Sequence, residues 1–485
     1  MASVQVRGVD GLERRALSPL EIFGQAIGNT GMATVVAFTP AFVFATAGNA
    51  AWLSVLIATI AVLATGYCVS VFARRYASSG SLYTFVAQAL GPGPAFLVGW
   101  ALIIAYAGLA VAVPGLGAIF LADLLSAVNI DATSDAWQIA FFLLLAVVVT
   151  LFAFRGVRLS TRTALILEAT TLAILGVILA ATLLTVPDVF DSRQLKLEGA
   201  SLHDVFLGIT LAVTAFVGFE SGASLGAEAR NPHKAIPRVV MLTAACAGVI
   251  YIVATYTSIA GFGGIGTSIS ESASPIDDLR VYGGVDFLRY PVAAGLTMSF
   301  FAIILASVNA LARMLFTMAR EGVIPAWFGR AHPRHKTPYA GIFAIAPLLF
   351  VVPLVMQQVA NADAASTFTY IATPSTFGFM FAYVLIAAGA PLLVYRAAGR
   401  LDWRPALAGL VAAAAMIATY VSNITPTPPW PLDMMPYLFA GLMVVGGIVY
   451  VAIRSRDRSV TERIGTVEED DLAPAAASAP ERQLA

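Results

Sequence analysis

The chain has 485 residues with 28 basic and 28 acidic side chains, so its formal net charge is zero and no basic excess marks it for nucleic acid. Charged residues make up 12% of it, about half the share of a soluble domain, and a mean hydropathy of +0.83 excludes a water-soluble globule. Cys68 and Cys246 both lie in apolar runs and read as small buried hydrophobes, with neither a disulfide nor a metal framework implied.

The first nineteen residues are polar and basic (Arg7, Arg14, Arg15) and read as a cytoplasmic tail. With no apolar core ahead of a small-residue cleavage site, no cleaved signal peptide is expected. Apolar runs of about 20 residues then predict membrane helices. Five fall near Glu21–Thr46, Trp52–Phe72, Ala95–Phe120, Trp137–Phe154 and Ala164–Val186. Five more fall near Val205–Leu225, Ile236–Phe262, Pro291–Met318, Tyr339–Met356 and Phe368–Tyr395, and two close the series near Pro405–Val421 and Met434–Ile453. The expectation is an all-α integral membrane protein with twelve transmembrane helices. Its tails would be 1–19 and a disordered 454–485, on either side of a permease domain at 20–453.

Charge tests this map. With the N-terminus inside, all but Arg193, Lys196, Arg280 and Arg289 of the 28 lysines and arginines fall in the inner segments. That is the bias of cytoplasmic loops, so both termini are expected in the cytoplasm; the plasma (inner) membrane is the location expected for such a chain. The outer connection with Asp123, Asp131 and Asp135 carries no base, and Gly263–Tyr290 is a long Gly/Ser-rich outer segment, either a lid or a passive loop.

Two of the predicted helices are interrupted. The first contains Gly28-Asn29-Thr30-Gly31. The sixth contains Phe216-Val217-Gly218-Phe219-Glu220-Ser221-Gly222 and closes on the charged hinge Glu228–Arg238. Glycines and a carboxylate inside membrane-length segments are tolerated where backbone and charge are buried in protein or line a cavity. Gly-interrupted segments in both halves of a chain point to the binding site of a secondary transporter. Freed N–H groups and a half-helix N-terminus suit a carboxylate, and freed carbonyls suit an ammonium, so an α-amino acid fits two such breaks crossing in mid-membrane. The plainer alternative is two kinked, closely packed helices with no ligand.

Glu220 is the carboxylate set deepest by position and a candidate for proton coupling; a carboxyl satisfied by helix-end donors is the alternative. Glu168, about two turns from Arg158 and Arg162, is expected to pair with them at the inner face, and Arg313 to reach the interface. Phe216 and Phe219 are candidates for stacking over a ligand. His203, His233, His332 and His335 lie in loops or at helix ends and are assigned no role.

The run from Phe216 to Ser221 followed by Glu228-Ala229-Arg230-Asn231-Pro232-His233-Lys234-Ala235-Ile236-Pro237-Arg238 resembles the sixth-helix signature of permeases in the amino acid-polyamine-organocation superfamily. Phe72–Tyr76 with Gly80–Thr84, Gly99-Trp100, and Ala312–Phe316 with Ala319–Gly322 add to the likeness, which spans nearly the whole chain except the tails. The resemblance implies a leucine-transporter-like fold with discontinuous helices 1 and 6. Five helices (about 20–186) would be followed by five inverted (about 203–396) and by two additional helices (about 404–453). It implies alternating access without enzymatic chemistry or a cofactor. Gly28, Asn29, Thr30, Gly31, Met32 and Ala33 would take the substrate carboxylate, Phe216, Val217, Gly218 and Phe219 would offer carbonyls to the amine, and Tyr106 would supply an inner-gate hydroxyl.

Three positions depart from the family pattern: Ala33 where a third glycine is usual, Thr214 where an aromatic lid is common, and Thr170-Thr171 where a lysine often stands. The second leaves substrate size open and the third leaves the coupling ion open, proton or sodium. The leading expectation is a proton-coupled amino-acid permease. A polyamine or amine transporter, an exchanger and a non-transporting membrane sensor are the alternatives.

Overall fold

The computed structural model describes residues 11–466 except 14, 15, 133, 273, 426 and 427. The first ten residues and 467–485, expected to be tails, lie outside the described residues.

Helix α1 (Pro19–Thr30) starts where its sequence says it should. Ser18 caps it, Pro19 takes the first position, and Glu21 reaches back to the Ser18 N–H at 2.7 Å in a capping box. Such a cap contributes about 1 kcal/mol. It ends at Gly31, whose φ of 61° lies in the left-handed region that glycine enters most readily, and α2 (Met32–Ala47) resumes at once. After a short 3₁₀ turn come α3 (Ala51–Ala73), the short α4 (Leu82–Leu90), and α5 (Pro92–Ala112) continued by α6 (Pro114–Ser126). Helices α7 (Asp135–Arg155), α8 (Val157–Thr185) and α9 (Ser192–Leu195) complete the first half.

The second half runs through α10 (Leu202–Thr214), α11 (Pro232–Ile265), α12 (Pro275–Tyr282), α13 (Arg289–Arg320), α14 (Tyr339–Gln358) and α15 (Ala364–Ala398). Helices α16 (Trp403–Ser422), α17 (Met435–Arg456) and α18 (Arg458–Glu462) close the chain. Among the described residues no sheet forms, and the isolated bridge is Leu17 with Ala229.

Ten helical runs among the described residues are long and apolar enough to cross a membrane, against the twelve crossings expected. Two local features make the difference. Only the turn Gly48–Ala50 separates α2 from α3, so Pro19–Ala73 forms one run, and α10 stops after 13 residues at the second interruption. Helix α5 packs along α15, α8 along α13, and α3 along α11. Outward faces of α16 and α17 expose Leu410, Val444, Ile448 and Val451, the composition a lipid-facing surface requires.

Two connecting segments hold more regular structure than their composition suggests. Residues 454–466, expected to begin a disordered tail, are ordered: α17 runs to Arg456, and α18 folds back to bury Thr461 and Ile464. The Gly465 N–H donates to Glu321 at 2.8 Å, and its carbonyl accepts from Gln88 of α4 at 2.8 Å. The segment 263–290 carries α12, which buries Ile276 and Leu279 and packs on α8 and α11.

Candidate functional site

The two interruptions meet. Gly218 has a φ of 87°, and a Cβ built on it would lie 2.4 Å from the Asn29 side-chain oxygen, so the second break is seated on the first. A Cβ on Gly31 would lie 2.4 Å from Ile303 of α13, and one on Gly28 would lie 2.9 Å from Ala164 of α8. Glycine at these positions is therefore a packing requirement as well as a conformational one. Gly28, Asn29, Thr30, Gly31, Met32 and Ala33 are all buried.

Polar groups of the first break are answered from across the bundle. Asn29 Nδ2 donates to Ser307 at 2.7 Å, and one turn earlier Gln25 Nε2 donates to the Ala306 carbonyl at 2.7 Å. Thr30 turns its hydroxyl back to donate to the Ala26 carbonyl at 2.8 Å. In the first turn of α2, the Ala33 N–H donates to Glu168 at 3.1 Å, and Ser299 of α13 donates to the other oxygen of that carboxyl at 2.5 Å. Arg158 and Arg162, expected to partner Glu168, hold Glu21 instead, at 3.4 and 2.8 Å. The physical reason is direction: α8 turns Glu168 toward the break of α1, and the arginines meet the acidic cap of α1 at its start.

Around the second break the chain tightens into i→i+3 turns, with Phe219 N–H on the Phe216 carbonyl at 3.3 Å and Ser221 N–H on the Gly218 carbonyl at 3.0 Å. Phe216 stands edge-on to Tyr251 of α11 with ring centroids 5.0 Å apart, and Phe219 leans on Tyr383 of α15 at 5.6 Å. Both phenylalanines are fully buried among protein rings, whereas Val217 and Thr214 remain half-buried, the Thr214 hydroxyl bonding back to Leu211 at 2.7 Å.

Glu220 is wholly buried. Tyr106 of α5 donates to one oxygen at 3.0 Å and Tyr383 donates to the other, while the Tyr383 hydroxyl also receives the Gly218 N–H at 3.1 Å. Tyr106, expected as an inner-gate hydroxyl, is bonded to Glu220. Tyr383 was not expected, since a tyrosine in an apolar helix shows no pattern. The only signal was that a buried tyrosine hydroxyl needs a partner.

At the end of this segment Glu228 and Arg313 form a bidentate pair with contacts of 2.6 and 3.1 Å, both side chains buried. Arg313 therefore does not reach the interface as expected. A guanidinium this deep needs a carboxylate, and Glu228 of the hinge supplies it. The Glu228 carbonyl also accepts the Ala16 and Leu17 N–H groups at 2.8 and 3.0 Å, which sews residues 16–18 to 228–230. Three of the four bases placed outside are ion-paired: Arg193 with Asp191, Arg280 with Asp277 and Asp286, and Arg289 with Asp123.

Many membrane-length apolar helices that bury polar groups at a shared crossing describe a multi-pass membrane protein, and the family match below makes it a transporter rather than an enzyme. Residues 17–449 match the amino acid permease family, and the chain belongs to it. It is 28% identical over 333 residues to the low-affinity putrescine importer PlaP of Escherichia coli (strain K12), covering 65% of this chain and 70% of that protein. It is 26% identical over 380 residues to cationic amino acid transporter 4 of Mus musculus, covering 74% of this chain and 59% of that one. Similarity to the branched-chain amino acid permease BcaP of Bacillus subtilis (strain 168) is 26% over 348 residues, 67% of this chain and 73% of that protein.

Proposed function

We propose that the chain is a secondary active transporter of amino acids or amines that works by alternating access in the plasma membrane, with both termini in the cytoplasm. The carrying observation is the contact of Gly218 with Asn29, which joins the two interruptions at one place. Substrate would be held there by main chain at 28–33 and 214–219, with a proton taken up and released at Glu220 and its hydroxyl partners Tyr106 and Tyr383.

Twelve crossings in two inverted sets of five plus two are the arrangement this reading uses, and the pairing of the helices supports it. In such a repeat the third and tenth crossings are the counterparts of the eighth and fifth, and α5 with α15 and α13 with α8 are close-packed pairs. The same relation links the two breaks. The Ala33 N–H goes to a side chain of the fifth crossing, and the Gly218 N–H goes to one of the tenth. The putrescine importer among the relatives keeps amines beside amino acids as substrates.

Uptake of radiolabelled amino acids and amines into proteoliposomes, with and without an imposed pH gradient, tests the proposal. Saturable uptake driven by an inward proton gradient is expected. Glu220→Gln should abolish gradient-driven accumulation while leaving substrate exchange. Undiminished accumulation in that variant removes Glu220 from coupling, and binding without any flux replaces the transporter with a sensor.

A further inference from the structure

The geometry points to Glu168 as the residue that sets the substrate class: the site takes a solute through its ammonium group and disfavours one that also carries a carboxylate. This deepens the transporter reading and rests on it. The N–H groups in the first turn of α2 are a natural seat for an anion. Here the chain's own carboxyl occupies it, held by the Ala33 N–H at 3.1 Å and by Ser299 at 2.5 Å. A substrate carboxylate would have to displace Glu168 from this seat.

The surroundings offer free acceptors and no paired cation. Among the described residues neither Glu168 nor Glu220 has a cation at salt-bridge distance, because the bases on α8 and α13 that could serve are held elsewhere: Arg158 and Arg162 by Glu21, and Arg313 by Glu228. Asn29, 1% exposed, has no hydrogen-bond partner for its side-chain oxygen, which faces Gly218. Gln25 is oriented unambiguously, since the Ala306 carbonyl can only accept; its own oxygen is left without a donor. The Tyr251 hydroxyl is buried and unpartnered too. A protonated amine brings three donors for the free amide oxygens of Asn29 and Gln25, and a positive charge beside the two carboxyls.

Matched pairs of solutes that differ only by the carboxylate test it directly. Competition against labelled putrescine in proteoliposome exchange would compare putrescine with ornithine and agmatine with arginine, in sodium chloride and again in choline chloride. Wild type should favour each amine over its parent amino acid by at least about tenfold. Glu168→Gln keeps the shape and an oxygen for the Ala33 N–H, so it should narrow that ratio to about threefold or less by weakening the amines. Should the variant fail to fold on size exclusion, the wild-type ratios decide alone. Ornithine competing as well as putrescine overturns the inference and leaves the transporter reading standing. Sodium alone raising the thermal stability of wild type but not of Glu168→Gln assigns the carboxyl to an inorganic cation and also overturns it. Movement of none of these solutes, nor of any amino acid, overturns both.

Discussion

The buried pair of Glu228 and Arg313 allows a sharp test. Glu228→Gln removes the negative partner and leaves a guanidinium, 1% exposed, with only the Asn309 carbonyl at 3.0 Å and a neutral amide. Breaking a buried pair from one side costs roughly 3–5 kcal/mol, because the remaining charge is neither solvated nor compensated. Against a total stability of about 5–15 kcal/mol, that is a large fraction. Replacing both partners with apolar residues, Glu228→Leu with Arg313→Met, removes the orphaned charge. The double variant should return to within about 1–2 kcal/mol of wild type, since such replacements are often close to neutral. The main-chain bonds from Ala16 and Leu17 to the Glu228 carbonyl survive all of these changes, so side-chain charge alone is being varied. Unfolding in mixed micelles, followed by circular dichroism, reads wild type, Glu228→Gln and the double variant. If Glu228→Gln loses less than about 0.5 kcal/mol, water screens the pair and the argument from burial is wrong.

Two other outcomes follow from the same physics. Gly218→Ala forces a side chain into a φ of 87° and within 2.4 Å of Asn29; left-handed strain of about 1–2 kcal/mol, with about 1–3 kcal/mol more if the displaced Asn29 amide lets go of Ser307, should cut transport at least tenfold. Gly176→Ala in α8, where a new Cβ meets no atom within 4 Å, is the control and should leave uptake unchanged. Ile464→Ala should cost about 2 kcal/mol in the micelle assay, because Ile464 is buried with the hydrophobic core, whereas a loose tail would register no change.

Much of this architecture was readable from residue order. Helix limits follow from apolar runs closed by caps and glycines, as at Ser18, Gly31 and Gly399, and both interruptions announce themselves as polar or glycine residues where lipid-length helices tolerate few. What could not be read was the direction of side chains across the bundle. Glu168 lies near Arg158 and Arg162 along α8, yet it meets Ala33, which is 135 residues away, because α8 packs against α1 and α13. Arg313 and Glu228 are 85 residues apart and Tyr383 and Glu220 are 163 apart, separations at which periodicity carries no information. A stricter use of one rule would have narrowed the choice for Arg313: an arginine in a membrane-length helix requires a carboxylate, and few acidic residues lie at matching depth. The docking of Ile464 had no such signal, because a short charged segment with two apolar residues resembles solvated sequence.

The stitching of residues 16–18 to 228–230 has a mechanical consequence. Helix α1 and the stretch from Gly218 to Arg230 are tied at three levels: Gly218 on Asn29, the Ser221 hydroxyl on the Gln25 carbonyl at 3.2 Å, and the Leu17 carbonyl receiving the Arg230 N–H at 3.0 Å. Under the alternating-access proposal, these two limbs, bonded along their length, would move as one lever. Opening a path on the arginine-rich side would then mean swinging the joined limbs off α13 and separating Arg313 from Glu228, while the sewn ends stay closed.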